Sequence, residues 1–246
     1  MRVPVAQLNV QRRMRPEISM LIRETIYPKL KDHPSTLDLP AVVGLRKSVY
    51  WLDHKNYEEG QHSEVHHKSH SNSWEVEMVR GLVRHVVRQG AYKSSDIAVL
   101  TPYTGQLQKL RSVMRNDFEI LLSDRDQDAL EKDGFAANTR VIANADEETE
   151  SLVNKKSKAP LQKRKLSELL RIATVDNFQG EEAKVVIVSL VRSNNKKKVG
   201  FLKTTNRINV LLSRARHGMY LIGNADTYSH VPMWQKVIDM LQNSES

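Results

Sequence analysis

The strongest constraint on the fold is a short apolar run, Val185-Val186-Ile187-Val188. It is too brief for a self-burying helix and lacks the polar alternation of a half-exposed strand, so it reads as a strand buried on both faces. The stretch around it, Ala173 to Asn194, starts polar and turns at Gln179-Gly180 before entering the run. Gly180 permits a turn where backbone can approach a ligand closely. Glu181 and Glu182 follow at once, at the polar end of the strand. Carboxylates there call for a charged partner or a chemical task. Asn206 to Gly218 offers the partner: it reads as a helix with Ile208, Leu211 and Leu212 on the apolar side and Arg207, Arg214 and Arg216 elsewhere.

A chain of 246 residues accommodates one large α/β domain, with or without an insertion. Lys and Arg number 38 against 29 Asp and Glu, a net charge of +9 that favours a polyanionic partner. No apolar run is long enough for a membrane span, and no secretory signal follows Met1. Cysteine is absent, which excludes disulfides and thiolate zinc sites and fits an intracellular, cytoplasmic or nuclear setting.

Along the chain, Pro16 opens a helix through Tyr27, and Ser48 to Asp53 reads as a strand. Ser71 to Gly90 is a helix capped by Asn72 or Ser73, with Val76, Val79, Leu82, Val83 and Val86 as its inner stripe. Asp96 to Leu100 is a buried strand, and Thr104 to Met114 a helix. Residues 116–168 read as a flexible insertion of opposed charge runs, with one short charged helix at DRDQDALEKD. Met219 to Ile222 is a strand, and Trp234 to Leu241 an amphipathic helix. His66, His67 and His70 read as solvated loop histidines, since no cysteine accompanies them; no metal site is expected. Val141-Ile142-Ala143 before Asp146-Glu147 imitates a magnesium-binding strand end, but Asn144 interrupts it and it reads as loop.

Four ordered blocks carry a resemblance. TVDNFQGEEAKVVIVSLVRSN and NRINVLLSRAR resemble motifs V and VI of superfamily 1B helicases of the up-frameshift class. VQRRMRP is similar to that family's Q-x-R-M-x-P element, and IAVLTPYTGQ to its motif IV. Further stretches, IYPKLKDHPS and RHGMYLIGN among them, resemble the NFX-type zinc-finger-containing helicases. The resemblance implies a RecA-like, three-layer fold of the P-loop NTPase type, with a mostly parallel sheet and helices on both faces. No G-x-x-x-x-G-K-[ST] loop occurs, so the whole chain, 1–246, corresponds to the second motor domain. ATP and Mg²⁺ would be held mainly by a first RecA-like domain upstream.

By this resemblance Arg214 and Arg13 act catalytically on the triphosphate. Gln179, Gly180, Glu182 and Arg12 bind nucleotide, while Thr101, Tyr103, Thr174 and Asp176 line a track for single-stranded RNA or DNA. Arg12 stands where relatives carry an aromatic residue. Arg216 is assigned a structural pairing with motif V, with assistance to the phosphate as the alternative. Plainer alternatives stay open: a solvated basic turn at Arg12-Arg13, and an ordinary loop at Thr101-Pro102-Tyr103. The implied activity is an ATP-dependent RNA helicase or translocase, with RNA-silencing or RNA-decay proteins as partners. The alternative is a non-catalytic nucleic-acid or protein scaffold on the same fold.

Overall fold

The structure, a computed structural model, describes residues 8–59, 69–135 and 169–243. A short parallel pair, β1 (Val10–Gln11) and β2 (Lys31–Asp32), brackets helix α1 (Pro16–Arg23). The main sheet uses β3 (Val49–Asp53), β4 (Ile97–Thr101), β5 (Ile120–Leu121), β6 (Leu170–Thr174), β7 (Ala183–Ser189) and β8 (Ala215–Gly223). Its order is β3-β8-β7-β4-β6-β5, and every neighbouring pair is parallel. Parallel strands need crossovers, and helices supply them: α2 (Ser73–Arg88), α3 (Thr104–Met114), α4 (Asp124–Lys132) and α5 (Thr205–Leu212). The short α6 (Ala225–Tyr228) and α7 (Pro232–Asn243) follow β8. Among the described residues no helix is long and apolar enough to cross a membrane.

Strand pleating divides the core in two. Val186 and Val188 of β7 face one cluster with Ile18, Leu21, Ile208, Leu211 and Trp234, while Val185 and Ile187 face another with Val79, Val83, Leu107 and Leu110. The apolar run is therefore buried on both sides, as its composition demands. The result is a three-layer α/β fold of the RecA-like kind. Asn72 caps α2 by accepting from Glu75 N at 3.2 Å.

Three sequence expectations meet a different local structure. The expected helix over 206–218 stops at Leu212; Ser213 leaves helical geometry, and Ala215 already pairs with Ala183 in the sheet. Arg214 thus sits in a helix-to-strand turn, and Arg216 on a strand. Leu170–Thr174 is a strand that the neighbouring charge run obscured. Of the expected insertion, residues 116–135 belong to the folded layer: β5 pairs with β6, and Leu130 of α4 is buried in the core. The charge runs at 146–150 and 155–165, the strand-like 141–143, and His66 and His67 lie outside the described residues.

Candidate functional site

A cleft of 470 Å³ lies at the N-terminal ends of β7 and β8, lined by Gln11, Arg12, Arg13, Met14, Glu182, Ser213 and Arg216. Its position follows from connectivity. Glu182 is the residue before β7, Ser213 and Arg216 flank the entry to β8, and residues 11–14 join β1 to α1. Arg15 N donates to Arg216 O at 2.9 Å, which ties that loop to β8.

The loop is shaped by Gln11, a residue given no role from sequence. Its Oε1 accepts from Arg13 N at 2.9 Å and Met14 N at 2.8 Å, and its Nε2 donates to Met14 O at 2.8 Å and Asp32 Oδ1 at 2.5 Å. Asp32 also accepts from Ser19 Oγ at 2.6 Å and Arg23 Nη1 at 2.8 Å. One buried amide therefore fixes the turn that presents Arg12 and Arg13 to the cleft.

Arg13 spans the cleft wall. Its Nε meets Glu182 Oε2 at 2.5 Å, and Nη1 donates to Ser213 O at 3.0 Å. Arg216 Nη1 approaches the other Glu182 oxygen at 3.7 Å. Arg214 is turned inward and only 9% exposed. It donates from Nε to Val210 O at 2.6 Å, from Nη1 to Glu181 O at 3.1 Å, and from Nη2 to Ser213 Oγ at 3.2 Å. Burial lowers the Arg214 pKa; the charge of Arg13 lowers it further, and Glu182 opposes both. Arg13 and Arg216 thus share one exposed carboxylate, with the buried Arg214 close enough to feel the charges of Arg13 and Glu182, and the surplus positive charge suits an oxyanion such as a phosphate. Gln179 and Gly180 stand exposed on the turn leading to Glu182, with Gly180 at φ +91°. Arg12 is exposed on the cleft rim.

The structure brings Arg13 and Arg216 onto Glu182, the pairing of Arg216 with motif V that the sequence suggested, and places Arg214 buried beside them. The four residues named for the nucleic-acid track lie away from this cleft, at the C-terminal ends of β4 and β6 or just beyond them. Thr101 closes β4 and is fully buried, so it offers no surface to a strand. The Tyr103 hydroxyl donates to Val199 O and accepts from Phe201 N, each at 3.2 Å, which commits it to the turn before α5. Thr174 is 9% exposed, with its N and Oγ1 directed to Asp126 Oδ1 at 3.2 and 2.7 Å. Of the four, Asp176 is well exposed, 3.9 Å from Arg207, whose guanidinium stacks 3.7 Å from the Phe201 ring centroid.

Two buried carboxylates organise this second edge. Asp126 of α4 accepts Thr174 and also Asn177 Nδ2 at 2.7 Å. Glu75 of α2 accepts from Ser189 Oγ at 2.5 Å, Val191 N at 2.9 Å and His54 Nε2 at 2.9 Å. Val191 has φ +72°, an outlying conformation for a β-branched residue, and Glu75 anchors its N–H. Asp126 was not singled out from sequence; Glu75 was read only as part of the α2 capping arrangement, whereas its side chain reaches Ser189, Val191 and His54. Among the described residues no group of three or more His, Cys, Asp or Glu side chains comes together as a metal cage. His70 is held between Glu58 and Arg192.

A parallel RecA-like sheet with an arginine-lined edge defines an NTPase-type domain, and comparison with known proteins narrows it. Residues 1–226 match the family described as "AAA domain". The chain belongs to that family and is a superfamily 1B helicase domain. It is 34% identical to the NFX1-type zinc finger-containing protein 1 of Mus musculus over 242 residues, 98% of this chain and 10% of that protein. It is 29% identical to the helicase required for RNAi-mediated heterochromatin assembly 1 of Schizosaccharomyces pombe over 98% of this chain and 19% of that protein. Over 74 residues, 30% of this chain and 6% of that protein, it is 43% identical to the regulator of nonsense transcripts 1 of Dictyostelium discoideum. The chain spans about a tenth of the length of the mouse relative.

Proposed function

We propose that this domain is the second RecA-like half of an ATP-dependent RNA helicase or translocase, closing on a triphosphate held by a first domain. The observation that carries the reading is that Arg13 and Arg216 both meet the Glu182 carboxylate at an open edge, with Arg214 buried beside them. The cleft residues fit the phosphate end of ATP, because they offer a surplus of fixed cations. They do not fit magnesium, whose oxygen ligands would come from the partner domain and the phosphates.

In phosphoryl transfer, negative charge builds on the γ-phosphate oxygens and magnesium offsets part of it. Arg13 supports the rest by exchanging Glu182 for phosphate. Gln11 keeps the Arg13 backbone in place during that exchange. Arg214 contributes by leaving the carbonyls of Val210 and Glu181, weak neutral partners compared with a phosphate anion. Glu182, released from Arg13, is free to accept from the ribose. RNA is the proposed nucleic acid, and RNA-silencing or RNA-decay proteins are the proposed partners, consistent with the names of the relatives above.

The test is ATP turnover by the full-length protein with Arg13→Ala or Arg214→Ala. Each is expected to lose about 10³-fold or more in rate with RNA affinity nearly unchanged. Turnover unaffected by both would remove the motor reading. The inward Arg214 favours a second reading, a non-catalytic scaffold, and under it neither substitution changes any nucleotide-dependent rate.

A further inference from the structure

A second charged surface lies on the other face of the sheet from α1 and α5. Arg80, Arg84 and Arg88 fall at i, i+4 and i+8 of α2, a straight row about 6 Å apart along the axis. Arg80 Nε meets Asp117 Oδ2 at 2.6 Å, and Arg84 Nη1 lies 4.0 Å from Oδ1. Asp117 is held below the ordinary carboxylate range, first by its bond to Arg80 and then by the charges of Arg80, Arg84 and Arg88. The adjacent helix α3 and its C-cap add Arg111 and Arg115, also four apart. Burial and then the charge of Arg115 depress the Arg111 pKa, so these two guanidiniums repel each other. Among the described residues, the carboxylates in ion pairs with Arg80 and Arg84 include Asp117 and, at 3.7 Å from Arg80, Glu77.

Complementing helix dipoles accounts for Arg88 and Arg111, which lie in last turns. It leaves Arg80 and Arg84 in mid-helix, where like charges one turn apart are mutually destabilising. No large apolar side chain on α2 or α3 is exposed. A protein partner would want an apolar anchor at the centre of such a patch, whereas a phosphate backbone needs only spaced cations.

We propose that the outer face of α2 and α3 is a sequence-independent docking surface for an RNA phosphate backbone, separate from the cleft and from the strand edge near Asp176. Arginine suits this task because each fork engages a phosphate with two hydrogen bonds. The surface would hold a flanking stretch of RNA while the other edge engages the single strand. It does not depend on the ATP reading, since its test involves no nucleotide.

The test measures binding of a fluorescein-labelled oligouridine to this chain by anisotropy between 50 mM and 200 mM salt. The triple variant Arg84→Gln, Arg88→Gln, Arg115→Gln is expected to lower the slope of log K against log salt by about 2, from ~0.7 per lost single-strand contact. The affinity ratio between the two salts then shrinks roughly 20-fold. Asp117→Asn is expected to act oppositely, tightening binding and steepening the slope; misfolding cannot mimic that gain. An unchanged slope in a folded triple variant, or no gain from Asp117→Asn, overturns the proposal and leaves the face to an acidic protein.

Discussion

At the scale of single residues, the cleft depends on groups that carry no charge of interest themselves. Gln11 holds Arg13 through a backbone N–H, and Asp126 holds the start of the Gly180 turn through three donors on one oxygen. Asp126→Ala should leave the Thr174 and Asn177 donors unpaired and cost about 1–3 kcal/mol, read as a lower urea midpoint with an unchanged slope. Asp126→Asn keeps one acceptor oxygen and should cost less. Arg13, Glu182 and Gly180 were picked out through the resemblance of the motif blocks that contain them. The contacts of Asp126 and Glu75 were not legible: Glu75 was read only as a capping residue, and a side chain that bonds across many residues leaves no periodic trace nearby. The inward pose of Arg214 was equally hidden: sequence shows that an arginine is present, whereas the carbonyls of a helix end decide where it rests.

At the scale of elements, apolar periodicity located α1, α2, α3, α7 and the buried strands β4 and β7 to within a few residues. It failed where two periodicities meet, in the passage from α5 to β8, since Ala215 joins the sheet only three residues after the helix ends. The α2 cap makes a direct prediction: Asn72→Ala should cost about 1 kcal/mol or more in denaturant midpoint, because Asn72 also donates to Asn56 O. On β8, His217 Nδ1 and the Tyr92 hydroxyl share a hydrogen bond at 3.1 Å. Burial, followed by the charges of Arg216 and Lys184, holds its pKa below the ordinary 6.5. The unfolded chain therefore binds this proton first on acidification, so stability falls as pH drops from 6.5 through the folded-state value. Thermal melts across that window should show a decline that His217→Gln flattens; equal declines in both proteins would refute the assignment.

At the scale of the whole molecule, one sheet separates two chemistries: arginines at the N-terminal ends of β7 and β8, and buried carboxylates near the C-terminal ends of β6 and β7. Helix α5 spans the distance, leaving the Tyr103-bound turn at one end and delivering Ser213 to Arg13 at the other. Helix α7 seals the sheet with Trp234, fully buried against Trp51 and Tyr228 and bonded to Leu202 O at 3.0 Å. Trp234→Ala should cost about 3–5 kcal/mol in equilibrium unfolding. The architecture was readable through the resemblance carried by the four motif blocks; strand order was not, because nothing in a strand names its neighbour. That order governs biosynthesis. The first strand of the sheet, β3, has a single neighbour, and it is the last strand, β8. On the ribosome Val49–Asp53 must therefore remain unmated until almost the entire domain has been translated. Nascent chains arrested before Ala215 should be protease-sensitive and need chaperone cover, and release of the final segment should bring resistance in one step.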